Sequence, residues 1–216
     1  MMQELDFIST LHKSTKRDYF ERMDLDKPRC MRIAKKFGKE FFDGERKYGY
    51  GGYNYINDKR LIPLVKNLVK QYHLTSNSKI LDFGCGKGFL MYELNKYLKL
   101  KNRCVGVDIS KYAKDNAYKV GKEIVHKWPE HTKFDLVVSL GTLHNFILPD
   151  LQKVLRYFTR VSNNQFITVD SYRDEQELFN LECWALTCEC FFRPEEWRFL
   201  FNKLGYIGDY SFLFYE

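Results

Sequence analysis

The run Ile80-Leu81-Asp82-Phe83-Gly84-Cys85-Gly86-Lys87-Gly88-Phe89-Leu90 changes character twice. Lys79 to Phe83 is an apolar run of strand length, whereas Phe89 to Leu98 has helical spacing, so the glycines mark a tight strand-to-helix turn. Such a turn brings bare backbone and a helix N-terminus close to a ligand. Glycines at 84, 86 and 88 give G-x-G-x-G; the dinucleotide pattern G-x-G-x-x-G needs a glycine where Phe89 stands. Asp82 would repel a pyrophosphate but suits a ligand carrying an ammonium group and ribose hydroxyls.

Outward from this turn, strands and helices alternate. Arg103 to Val107 reads as a second strand ending at Asp108, followed by a helix from Lys111 to Lys119. Glu123 to His126 is a short third strand, and Phe134 to Ser139 a buried fourth. A helix from Pro149 or Asp150 to Arg160 precedes a fifth strand, Gln165 to Val169, which ends at Asp170. This alternation predicts a parallel sheet covered on both faces. Upstream, Lys59 to Tyr72 shows one apolar helical face, and Ser9 to Met23 and Pro28 to Lys39 are helical in pattern. Downstream, Asp174 to Leu181 reads as helix, Cys183 to Phe192 as a strand or an ordered loop, and Pro194 to Leu204 as a helix stopped by Gly205.

The stretch Asp82-x-Gly84-x-Gly86-x-Gly88 resembles the first motif of the class I S-adenosylmethionine (SAM)-dependent methyltransferases, and Phe134-Asp135-Leu136-Val137 resembles their fourth. The resemblance implies an α/β fold: a three-layer Rossmann-like sandwich with a mostly parallel central sheet, here with a helical N-terminal extension. It implies SAM as cofactor, S-adenosylhomocysteine as product and no metal. Cofactor contacts are expected at Asp82, Gly84, Cys85, Gly86, Gly88, Asp108, Ile109 and Leu140. Asp108, about twenty residues beyond Gly88, supplies the ribose-binding acid. The family also has a C-terminal antiparallel hairpin. Tyr206 to Glu216 is scarcely long enough for one, so either it is abbreviated or Cys183 to Phe192 supplies a strand.

Acceptor chemistry is expected on the same rim. His144 has a near-neutral reference pKa, roughly 6.5, which suits a general base; a histidine that only shapes the pocket is the competing reading. Asp170 and Tyr172 follow the fifth strand as further catalytic candidates, and Thr142, Asn145, Tyr53 and Glu189 are candidate acceptor contacts. Tyr48-Gly49-Tyr50-Gly51-Gly52-Tyr53 lacks either regular period and reads as a loop over the cofactor, with Tyr48 and Tyr50 as cofactor contacts; base stacking and packing on the core are its alternatives.

With 216 residues, 44% of them hydrophobic, the chain can bury one core. It divides into an extension with its tyrosine loop, residues 1–58, and a methyltransferase domain, residues 59–216. Its apolar runs are far short of a membrane span, and Met1-Met2-Gln3-Glu4 lacks a secretory pattern, so a cytoplasmic monomer or homodimer is expected. Six cysteines without a C-x-x-C pair read as buried thiols. The net charge of +7 raises nucleic acid as a partner, but bases and acids interleave as on a solvated face. The compact size favours a small polar methyl acceptor, such as a sugar, nucleotide-linked sugar or amine. A nucleic-acid or protein methyltransferase and a non-catalytic SAM-binding module are the alternatives.

Overall fold

The structure is a computed structural model that describes residues 2–56 and 59–216. The expected domain boundary at residue 58 lies outside the described residues. The elements run α1 (Ser9–Lys13), α2 (Tyr19–Met23), α3 (Lys27–Ala34), α4 (Lys39–Asp43), α5 (Ile62–Gln71), β1 (Ile80–Phe83), α6 (Phe89–Leu98), β2 (Val105–Val107), α7 (Lys111–Asp115), β3 (Ile124–Val125), β4 (Leu136–Leu140), α8 (Leu148–Val161), β5 (Gln165–Asp170), α9 (Glu175–Trp184), α10 (Pro194–Leu204) and β6 (Asp209–Leu213). The sheet order is β3-β2-β1-β4-β5-β6, and each neighbouring pair is parallel.

Alternation along the strands makes the three layers. Leu81, Phe83 and Val137 face one way, into a core with Leu151, Val154 and Phe158 of α8 and Trp197 and Phe201 of α10. Ile80, Leu136 and Val138 face the other way, against Leu64, Val65 and Leu68 of α5 and Leu90, Met91 and Leu94 of α6. Burying each such aliphatic side chain contributes about 1.5–3 kcal/mol, so both helical layers are held mainly by this apolar contact.

The carboxyl edge of the sheet departs from expectation. Cys183 to Phe192 forms no strand beyond the end of α9, and β6 runs parallel to β5 with Tyr210 opposite Ile167, so the described residues hold no antiparallel hairpin. Instead, the N-terminal segment covers the outer edge of β6: Leu5 N–H donates to the Tyr210 carbonyl at 2.8 Å, and Tyr210 N–H to the Gln3 carbonyl at 3.0 Å. The exposed ladder groups of an edge strand are thereby paired.

The segment expected as one helix from Ser9 to Met23 is two. Asp18 interrupts it, because its carboxylate accepts the Glu21 N–H and caps α2. Asp26 caps α3 in the same way and places Pro28 in its first turn. Of these short helices, α2 packs against α9 and α3 against α4.

Candidate functional site

Between β1 and β4 the strand order reverses, and ligands of open parallel sheets sit outside the carboxyl ends of the strands at such a point. Gly84, Gly86 and Gly88 lie there with φ of +76°, +53° and +74°. A Cβ on Gly84 would stand 2.2 Å from Thr142 Oγ1, and one on Gly88 2.3 Å from Val120 Cγ2, so close packing as well as backbone conformation demands glycine at both. Gly86 differs: its added Cβ would meet only the rings of Tyr53 and Phe42, at 3.4 and 3.5 Å. Its backbone therefore faces the tyrosine loop.

Asp108 closes this turn from the next strand. One carboxylate oxygen accepts the Gly86 N–H at 2.7 Å and the other the Ser110 N–H at 2.8 Å. Burial raises its pKa, and these two backbone bonds pull it back. Ile109 beside it is 72% exposed, an open apolar surface next to a half-buried acid. Asp82 is 3% exposed and has no hydrogen-bond partner for its carboxylate among the described residues. Burial, and secondarily the Asp108 charge, pushes its pKa up to about 7. A buried carboxyl held so far from its usual range fits a site that receives a cation. The donors and acceptors thus suit the expected cofactor: bare amide groups, an acid for an ammonium, an acid for vicinal hydroxyls and an open apolar face.

The N-terminal extension covers this half. The Lys87 ammonium, buried within the glycine turn, donates to both oxygens of Asp43 at the end of α4, and the Tyr112 hydroxyl donates to Asp43 at 2.7 Å. Tyr50 and Tyr53 have ring centres 4.4 Å apart, and Tyr53 stacks on Phe89 at 4.6 Å. Burial first, then the charges of Asp108 and Asp170, pushes the Tyr50 phenol up to about 12, while 44% of the residue is exposed. The charges of both acids thus act on the Tyr50 phenol. Tyr48 departs from the loop's inner face and packs on the small cluster of Cys30, Ala34 and Leu186. The Cys85 side chain also turns into the core, against Gly106.

Opposite, His144 on the short turn after β4 meets Asp170 at the end of β5. His144 Nδ1 accepts the Asp170 N–H at 3.0 Å, and Nε2 lies 3.3 Å from Asp170 Oδ2. This fixes the neutral tautomer with its proton on Nε2. Burial lowers the His144 pKa while the Asp170 charge raises it, with burial dominant. The Tyr215 hydroxyl donates to the same Asp170 oxygen at 3.0 Å, and Trp197 Nε1–H to the Asp170 carbonyl at 3.0 Å. Asp170 Oδ1 has no partner among the described residues. Asn145 binds the carbonyls of Gly141 and Thr142 through its amide nitrogen, leaving its buried Oδ1 unpaired.

Two expected acceptor-side residues are engaged elsewhere. Glu189 forms an ion pair with Lys35, which caps the C-terminus of α3, while its N–H and that of Cys190 donate to the His144 carbonyl at 2.8 and 3.0 Å. Tyr172 carries the Arg193 guanidinium on its ring. Conversely, Asp43, Lys87 and Tyr215 escaped the sequence reading; only Lys87, a cation between two glycines at a turn that must pack closely, gave any signal.

Among the described residues no group of three or more His, Cys, Asp or Glu side chains is placed to hold a metal ion, and no helix is long and apolar enough to cross a membrane. The family profile described as "Methyltransferase domain" matches residues 74–203. An uncharacterized methyltransferase, C70.08c, of Schizosaccharomyces pombe is 35% identical over 101 residues, covering 42% of this chain and 38% of that one. The chain thus matches well under half the length of this curated relative. Two solved structures share the fold, each with a TM-score of 0.52. One is a chain of the complex between the Haloferax volcanii Trm112 methyltransferase activator and a methyltransferase (17% identity, 65% of each chain). The other is a methyltransferase-class protein of Bacillus halodurans C-125 (16% identity, 65% of this chain and 68% of that one).

Proposed function

The chain belongs to the class I SAM-dependent methyltransferase family, and on that premise we propose that it transfers a methyl group to an oxygen or nitrogen of a small polar molecule. The observation that carries this reading is the 2.7 Å bond from the Gly86 N–H to Asp108, which joins the two cofactor anchors at the point where the strand order reverses. SAM would supply an electrophilic methyl group on a sulfonium. Asp82 would face its ammonium and Asp108 its ribose hydroxyls; the turn Gly84–Gly88, Ile109 and Leu140 would line the rest, through backbone alone at Cys85.

In the transfer a carbon–sulfur bond breaks as a carbon–oxygen or carbon–nitrogen bond forms, and the acceptor gives up one proton. The chain's part is to align the reactants, exclude water and take that proton. Tyr50 and Tyr53 cover the cleft. Thr142 and Asn145 border the acceptor side, where the unpaired Asn145 Oδ1 offers an acceptor atom. We place the proton acceptor at Asp170, whose Oδ1 has no described partner, and give His144 the task of holding Asp170. The lone pair of its Nδ1 is already engaged by a backbone N–H. Glu189 acts through Lys35, strapping the loop before α10 to the extension.

The test is incubation with SAM and a panel of polar metabolites, with S-adenosylhomocysteine as readout. Product that appears with wild type and vanishes with Asp108→Ala supports the reading. No product and no SAM binding would end it.

A further inference from the structure

Arg17, Arg22 and Arg46 converge on one indole, with guanidinium carbons 5.6, 4.5 and 4.9 Å from the centre of the Trp184 ring. They surround a cavity of about 320 Å³. None of the three lies within ion-pair distance of a carboxylate among the described residues. Arg22 is only 5% exposed, yet the one hydrogen bond described for its guanidinium goes to the Lys47 carbonyl, at 3.0 Å. Arg17 donates to the carbonyls of His12 and Thr15, and its Nε is buried without a partner. Arg46 donates to the Tyr50 carbonyl. Burial, then the neighbouring Arg46, lowers the Arg22 pKa; burial, then Arg17, lowers that of Arg46. The cluster is therefore repulsive as it stands.

The remaining charges leave the excess in place. Lys16 and Lys47 add to the lining, against Asp18 and Glu21. Lys47 is paired with Glu45, and Asp18 is engaged as the α2 cap. Arg22 is buried, Arg17 half-buried and Arg46 exposed, and a buried cation beside like charges without a counter-ion is costly unless a ligand supplies the opposite charge. Guanidinium groups held on an aromatic face keep in-plane N–H groups, which match the oxygens of a phosphoryl group in pairs. A carboxylate offers two oxygens and one charge to three such groups; a phosphoryl dianion offers three oxygens and two.

The cavity adjoins the acceptor side. The Arg17 guanidinium also lies 5.0 Å from the centre of the Tyr215 ring, whose hydroxyl binds Asp170. Arg46 donates to the backbone carbonyl of Tyr50, whose phenol is raised in pKa by the charges of Asp108 and Asp170 after burial.

We propose that this cavity is the anion subsite of the methyl acceptor. It takes a phosphoryl group on Arg17, Arg22 and Arg46, so that the acceptor is a small phosphorylated molecule whose other end reaches Asp170. This rests on the methyltransferase reading, but the subsite can be measured without turnover. Its volume is in the range of small-molecule pockets, about 300–1,000 Å³, and exceeds what a bare ion fills.

The experiment titrates the full chain calorimetrically with inorganic phosphate, acetate and glucose. Phosphate should bind, acetate at least tenfold more weakly, and glucose not at all. Arg17→Gln should weaken phosphate at least tenfold, with SAM affinity changed less than twofold as the control for the fold. Arg22→Lys, which keeps the charge but loses the fork, should weaken it as well. Equal binding of acetate or glucose, or full phosphate affinity in Arg17→Gln, overturns the subsite. In turnover, S-adenosylhomocysteine should form with phosphorylated members of the panel. Formation only with unphosphorylated members overturns the subsite and leaves the methyltransferase reading intact. Phosphate binding without any SAM binding does the reverse.

Discussion

The Lys87 ammonium stands 2.6 and 2.7 Å from the two carboxylate oxygens of Asp43, and this pair fastens the N-terminal extension to the cofactor turn. The two residues are 44 positions apart, and the lysine side chain is nearly sealed from solvent while the aspartate is partly open. Burial alone would raise the Asp43 pKa, but the bonds from Lys87 and Tyr112 outweigh it and the net shift is downward.

Asp43→Asn should therefore be more damaging than Lys87→Met. The first leaves a buried ammonium without its counter-charge, at a cost of about 2–3 kcal/mol; the second leaves a carboxylate that keeps Tyr112, the Tyr53 N–H and some water. Chemical denaturation measures the difference, and hydrogen exchange over residues 41–55 should quicken in Asp43→Asn. Because the folded Asp43 pKa is depressed, the pair's contribution is complete at neutral pH. It fades as pH falls below about 3.8, through the folded value.

Asp108→Asn separates the two tasks of that carboxylate. An amide can still accept one backbone N–H, so the turn should hold, while the charge that attracts vicinal hydroxyls is gone. SAM affinity should fall ten- to a hundredfold by calorimetry, about 1.4–2.7 kcal/mol, with little change in melting temperature. Unchanged affinity would place the ribose elsewhere.

Elements with local punctuation were legible in the sequence. Phe89–Leu98 and Pro194–Leu204 fall where Gly88, Pro194 and Gly205 put their ends, because caps and left-handed glycines act within one turn. The glycine turn was legible for the same reason, and Asp108 was legible in position as the residue after β2. What stayed hidden depends on distant partners. Whether β6 runs parallel or antiparallel is decided by its neighbour β5 and by the N-terminal segment on its far edge, not by Asp209–Leu213 itself. Nothing near Glu189 in sequence reveals its ion pair with Lys35, and nothing near His144 reveals Asp170, which stands at the end of β5.

Asp82 should tie both stability and cofactor binding to pH. Its folded pKa, about 7, lies above the ordinary value of 3.8. Between those limits the folded protein holds a proton that the unfolded chain has lost, so stability from this group falls as pH rises from about 4 to about 7. Asp82→Asn should match wild type near pH 4 and melt higher at pH 8. SAM binding should show the opposite slope, because an ammonium favours the ionised acid: affinity should rise up to tenfold per unit until about pH 7, with proton release below it. The Asn variant should bind weakly with a flat profile. A sloping profile in that variant would assign the titration to another group.

His144 is best tested by which of its functions a substitute can keep. Both ring nitrogens are directed at Asp170, and the side chain is buried. His144→Ala leaves the Asp170 N–H buried without an acceptor, a loss of about 1–3 kcal/mol, and frees the carboxylate to swing. His144→Asn can still accept that N–H, so it should keep most of the stability and turn over within tenfold of wild type. A general base would behave otherwise: both variants would lose a hundredfold or more, and the wild-type rate would rise through the histidine's own titration, below pH 6.5 because burial lowers it. The same depression makes the unfolded chain bind the proton first as pH falls. His144 should thus cost stability below about pH 6.5, and the Asn variant should remove that part of the acid sensitivity. Rescue by asparagine with an unaltered pH–rate profile is the expected outcome, and it assigns proton removal to Asp170.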